Sequence, residues 1–65
     1  MDVHTIHESL VNGQRRQMVE QIDGYGLHDF WADYKRYLCA LYVREDSQYK
    51  YFSDAVISYH RIKNR

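Results

Sequence analysis

Leu27-His-Asp-Phe-Trp-Ala-Asp-Tyr-Lys-Arg-Tyr-Leu-Cys-Ala-Leu-Tyr-Val43 decides the fold. At about 100° per residue, Leu27, Phe30, Trp31, Tyr34, Tyr37, Leu38, Leu41 and Tyr42 fall within an arc of roughly 140°. Asp29, Asp33 and Arg36 lie opposite. A strand would require apolar residues at alternate positions, and this run has no such alternation. The stretch therefore predicts an amphipathic helix over about 27–43 with an aromatic face. Its acids stand early and its bases late, which suits the helix dipole.

The same spacing recurs on both sides. Downstream, Tyr49, Phe52, Ala55, Val56, Tyr59 and Ile62 form a stripe, with Tyr51 at its edge. It predicts a helix over about 47–63, with Ser47 as its cap and Arg61, Lys63 and Arg65 at its basic end. Ile57 points away from that stripe and suggests a second contact. Upstream, Met18, Ile22 and Tyr25, with Val19 at the margin, predict a helix over about 14–24, closed by Gly24-Tyr25-Gly26. Arg16, Glu20 and Asp23 lie on its opposite face. Before it, Val3, Ile6 and Leu10 predict a short helix over about 3–11, capped by Asp2 and ended by Asn12-Gly13. The expected fold is all-α: two short N-terminal helices packed on a long antiparallel helical hairpin, one domain spanning residues 1–65.

Composition bounds what such a domain can do. A 65-residue chain buries only about 60% of the surface its unfolded form exposes, so its stability is marginal. No disulfide reinforces it, since Cys39 is the only cysteine. A lone cysteine without a signal-peptide pattern leads to the expectation of a cytoplasmic protein, and no apolar run is long enough to span a bilayer. Seven tyrosines, two phenylalanines and one tryptophan supply large contact areas at low entropic cost. The net charge is zero but divided: residues 1–34 hold six acids and two arginines, residues 35–65 three acids and seven bases. The zero sum disfavours general nucleic-acid binding, which depends on neutralising phosphates. The division could hold the halves together or pair two copies.

Four constellations bear on chemistry. His4 and His7, with Glu8 adjacent, sit three apart as metal ligands can, but without the H-E-x-x-H order of helical zinc proteases. The simpler reading is a packed His7 and a solvated His4. Cys39 with His28 or His60 could make a nucleophile, but nothing in the sequence fixes their geometry; an inert thiol is expected. Asp29 and Asp33 could serve acid–base chemistry, yet they fall on a polar face, where an Asp33–Arg36 pair explains them. Gln14-Arg15-Arg16-Gln17 opens a helix, and arginines there oppose the dipole slightly, which leaves a binding role open for them. A helix, a glycine turn and a second helix outline a helix-turn-helix, but the second helix begins acidic where it would meet DNA.

Asn12-Gly-Gln-Arg-Arg-Gln17 leading into Met18-Val-Glu-Gln-Ile22, with Tyr25-Gly-Leu-His-Asp-Phe-Trp31 and Tyr51-Phe-Ser-Asp-Ala-Val-Ile-Ser-Tyr-His-Arg-Ile62, resembles small uncharacterised proteins of bacterial phages and plasmids. The resemblance implies a setting rather than an activity: proteins of mobile elements often act by attaching to a host protein, and some, such as anti-CRISPR proteins, inhibit host-defence complexes.

The expected function is a non-enzymatic protein–protein interaction module, without cofactor or metal, whose partner is a host protein or a second copy. Arg15, Arg16, Trp31, Tyr42, Tyr51 and Ile57 are its interface candidates, since tyrosine, tryptophan and arginine are the usual anchors. The alternative is a small DNA-binding regulator using Arg15, Arg16 and the basic C-terminal tail.

Overall fold

A computed structural model describes residues 2–64; Arg65 of the basic tail lies outside them. The described residues form four helices and no strand: α1 (Val3–Val11), α2 (Arg15–Tyr25), α3 (Leu27–Ala40) and α4 (Glu45–Lys63). The all-α bundle expected from periodicity is the fold.

Asp2 starts α1 as expected, accepting a hydrogen bond from the Thr5 backbone N–H at 2.9 Å. The helix ends in a Schellman motif: Asn12 is the cap, Gly13 is left-handed at φ +78°, and the Gln14 N–H reaches the Ser9 carbonyl at 2.9 Å. Gly26 alone separates α2 from α3, at φ +107°. Gly24 lies within α2, so only one of the two expected breaks is one.

Two boundaries differ from the periodic reading. First, α3 ends at Ala40 rather than near Val43. Tyr42 takes the left-handed position at φ +56°. The Tyr42 N–H bonds to the Cys39 carbonyl at 3.0 Å, and the Val43 N–H to that of Leu38 at 3.3 Å. This is the same closing motif as at Gly13, built on a tyrosine. Leu41 and Tyr42 consequently leave the aromatic face. Second, Arg44 rather than Ser47 precedes α4, so Ser47 lies inside the helix. Glu45 and Asp46 occupy its first turn, where the dipole favours acids. Gln48 secures the turn by donating its Nε2–H to the Val43 carbonyl at 2.6 Å.

The core draws on every helix. Val3, Ile6 and Leu10 of α1, Met18, Val19 and Ile22 of α2, Phe30, Tyr34 and Leu38 of α3, and Ala55 and Tyr59 of α4 are buried. Trp31 meets Tyr59 and Phe52, while Tyr34 meets Phe52, so α4 runs antiparallel to α3. Phe30 stacks on Tyr34 at 5.0 Å between ring centroids. Burying each such ring contributes about 1.5–3 kcal/mol, the main resource of a domain this small.

Polar links between helices are few and specific. Ser9 donates to Gln21 at 2.8 Å, joining α1 to α2. Between α2 and α4, Arg15 bridges Asp54 at 2.6 Å and Lys63 bridges Asp23 at 2.9 Å. The Lys63–Asp23 link joins the basic half to the acidic half, as the charge division suggested. The Arg15–Asp54 link runs the other way, an arginine of the acidic half to an acid of the basic half. Among the described residues no buried side-chain nitrogen or oxygen lacks a partner.

Candidate functional site

Three places on this scaffold gather chemically capable groups. The first lies between α1 and α3. His4 bridges Glu8 through Nε2 at 2.6 Å and meets the Tyr37 hydroxyl through Nδ1 at 2.7 Å. With the ring neutral, Nε2–H donates to the carboxylate and Nδ1 accepts from Tyr37. His7 Nδ1 meets the Tyr34 hydroxyl at 2.7 Å, and its ring packs edge-on against Tyr51. A carboxylate, an imidazole and a hydroxyl in series have the order of a nucleophile relay. The charges oppose that use. Burial, followed by the nearby Glu8 and Asp2 carboxylates, raises the Tyr37 pKa above its ordinary value, so the phenol holds its proton more firmly. Burial likewise pushes Tyr34 far up and draws His7 down. These bonds dock α1 onto α3. Each Nδ1 is taken by a tyrosine, and no group of three potential metal ligands occurs among the described residues.

The second place is a groove of about 660 Å³ at the start of α2, lined by Gly13, Gln14, Arg15, Arg16, Gln17, Arg61 and Ile62. The fold thus brings Arg61 beside the arginine pair. Arg15 is committed: its guanidinium bonds Asp54 at 2.6 Å and the Ser58 hydroxyl at 2.8 Å. Arg16 is exposed and has no ion-pair partner among the described residues.

The third place is the outer face of α4. Tyr49, Phe52, Ser53, Val56 and Ile57 line an apolar groove of about 310 Å³. Tyr49 is 75% exposed and Ile57 54%. A helix turned inward with Ala55 and Tyr59 thus carries a second apolar stripe outward.

The six interface candidates divide accordingly. Ile57 lies on the outer stripe, Arg15 and Arg16 on the basic groove, and Tyr42 stands 94% exposed on the turn before α4. Trp31 and Tyr51 are half-buried; Trp31 packs on Phe30, Phe52 and Tyr59, and Tyr51 on His7. Tyr49 and Leu41, both expected in the core, lie exposed. The signal for the outer stripe was present in the spacing of positions 49, 53, 56 and 57, a second helical repeat overlapping the first. Cys39 is exposed, and its Sγ meets Gln48 Oε1 at 3.7 Å rather than a histidine. Asp33 pairs with Arg36 at 3.8 Å, as expected, and also accepts from the Tyr25 hydroxyl. No protein family, curated protein or solved structure matches the chain.

Proposed function

We propose that this protein is a non-enzymatic protein-binding module that docks through the outer face of α4. One observation carries the reading: four apolar side chains, Tyr49, Phe52, Val56 and Ile57, surround the small Ser53 in an open groove on the bundle's surface. Scattered apolar residues on a surface are ordinary, whereas a contiguous patch marks an interaction site. A tyrosine beside an aliphatic pocket is the usual composition of an interface anchor. The resemblance to proteins of phages and plasmids supports a host protein as the partner, with defence complexes as one class; a second copy of the chain is the other candidate.

The test substitutes Ile57→Glu. Immobilised wild-type protein retains a partner that the variant does not, while the variant's circular dichroism at room temperature stays that of the folded chain. Equal retention by both proteins removes the α4 face from the reading.

A second reading, a DNA-binding regulator, is favoured by one feature. The groove at the start of α2 combines Arg15, Arg16 and Arg61. Asp54, paired with Arg15, offsets one of these positive charges. Titration of duplex DNA at two salt concentrations separates the readings. Binding that weakens steeply with salt and is lost on Arg16→Ala favours DNA.

A further inference from the structure

We infer that the occupant of the α4 face is a second copy of this chain, the two α4 helices pairing antiparallel about a two-fold axis at Ser53. The inference rests on the protein-binding reading above and names its partner.

A two-fold interface must be complementary to itself, each residue meeting its counterpart from the other side. The outer face of α4 meets this condition about Ser53. A smaller residue at the axis lets two helices approach closely, and Ser53 is the small one in the groove. Four residues to either side, about 6 Å along the helix, stand Tyr49 and Ile57. Antiparallel pairing sets the Tyr49 ring of one copy against Ile57 and Val56 of the other, and the contact occurs twice. Both Tyr49 and Ile57 are exposed in the single chain, so each gains cover from the pairing.

Charge selects the same arrangement. The first turn of α4 is acidic, with Glu45 and Asp46, and the last is basic, with His60, Arg61 and Lys63. About the Ser53 axis, Asp46 comes level with His60 of the second copy, and Glu45 with Arg61. Parallel pairing would instead place acids on acids and bases on bases. The antiparallel helix dipoles add a small attraction. A stable pair needs roughly 600 Å² from each copy, about an eighth of the chain's 4706 Å² surface, and a helix about 28 Å long offers a strip of that order. A domain of marginal stability gains from the pairing by mass action.

The test follows association of the full chain by sedimentation equilibrium, alone and in mixtures. The wild type forms a dimer whose population rises with concentration. Glu45→Arg and Arg61→Asp each repel within their own pairs and weaken association by about tenfold or more. Mixed together, the two variants restore it, because the reversed charges then meet opposite ones at both ends. Ile57→Glu abolishes association, and because the charge variants leave the apolar groove intact, they decide the matter even if Ile57→Glu unfolds. A wild type that stays monomeric at high micromolar concentration overturns the inference, as does a mixture that does no better than its parts. A monomer that still retains another protein through Ile57 overturns the self-pairing alone. A monomer with no retention dependent on Ile57 overturns both this inference and the protein-binding reading.

Discussion

His7 sits half-buried among the rings of Tyr34, Tyr37 and Tyr51, and burial, followed by repulsion from His4, holds its pKa below the ordinary 6.5. The unfolded chain takes up this proton near the ordinary value and the folded chain resists it. Stability is therefore complete above pH 6.5 and falls as pH drops from there to the lowered native value, where this contribution levels off. Melting followed by circular dichroism should show the loss beginning just below neutrality, and His7→Asn should flatten that part of the profile. A separate loss follows in stronger acid. Asp23 is held below 3.8 by bonds from Lys63 and Tyr59, so its contribution is present above that value and disappears as pH falls through the lowered one. Tyr42 poses the other question at this scale. It occupies a left-handed position that Gly13 fills in the equivalent turn after α1, and its side chain is 94% exposed. Tyr42→Asn should stabilise the fold by about 0.5–1 kcal/mol, since asparagine tolerates that conformation better. No gain in melting temperature would mean that the tyrosine ring makes a compensating contact.

At the scale of the element, the two glycines flanking Tyr25 have opposite roles. Gly24 lies within α2, and a Cβ there would meet nothing within 4 Å. Gly24→Ala should therefore stabilise by about 0.4–1 kcal/mol, through helix propensity and a less flexible unfolded chain. Gly26 holds φ +107°, outside the reach of ordinary side chains, although a Cβ there would make only an ordinary contact with Asp29 Oδ2 at 3.6 Å. Gly26→Ala should cost about 1–3 kcal/mol from backbone strain alone. Denaturant titration of the two variants should give midpoint shifts of opposite sign. The helix α4 carries the other lesson of this scale. Its inward stripe was legible because Ala55, Tyr59 and Ile62 keep helical spacing. Its outward stripe was hidden because Tyr49, Phe52 and Val56 fit the same periodicity, and the pattern alone does not say which edge of a broad apolar arc faces the core.

For the whole molecule, turns of one to four residues join successive helices and most contacts link residues near in the chain, although α1 also packs on α3 and α2 on α4. Local topology of this kind folds on the microsecond-to-millisecond scale. Trp31, packed against Phe30, Phe52 and Tyr59, is its natural fluorescent probe. Temperature-jump relaxation slower than seconds would point to an assembly step rather than to folding. Phe30 is fully buried and packs against the rings of Tyr25, Trp31 and Tyr34. Phe30→Ala should cost about 3–5 kcal/mol, a large share of what so small a domain holds in reserve, and its circular dichroism should reveal a partly or wholly unfolded chain at room temperature.

The sequence by itself determined that there are four helices, where three of their four N-terminal boundaries lie to within a residue, and that α3 carries its rings on one face. These features depend on periodicity and capping, which act over a few residues. Only the tertiary structure decided that Arg61 lies beside Arg16, that His4 and His7 each spend a nitrogen on a tyrosine of α3, and that Tyr49 turns outward. Those outcomes depend on how helices distant in the chain lie across one another, and a helix reports its own faces without reporting which of them a neighbour will cover.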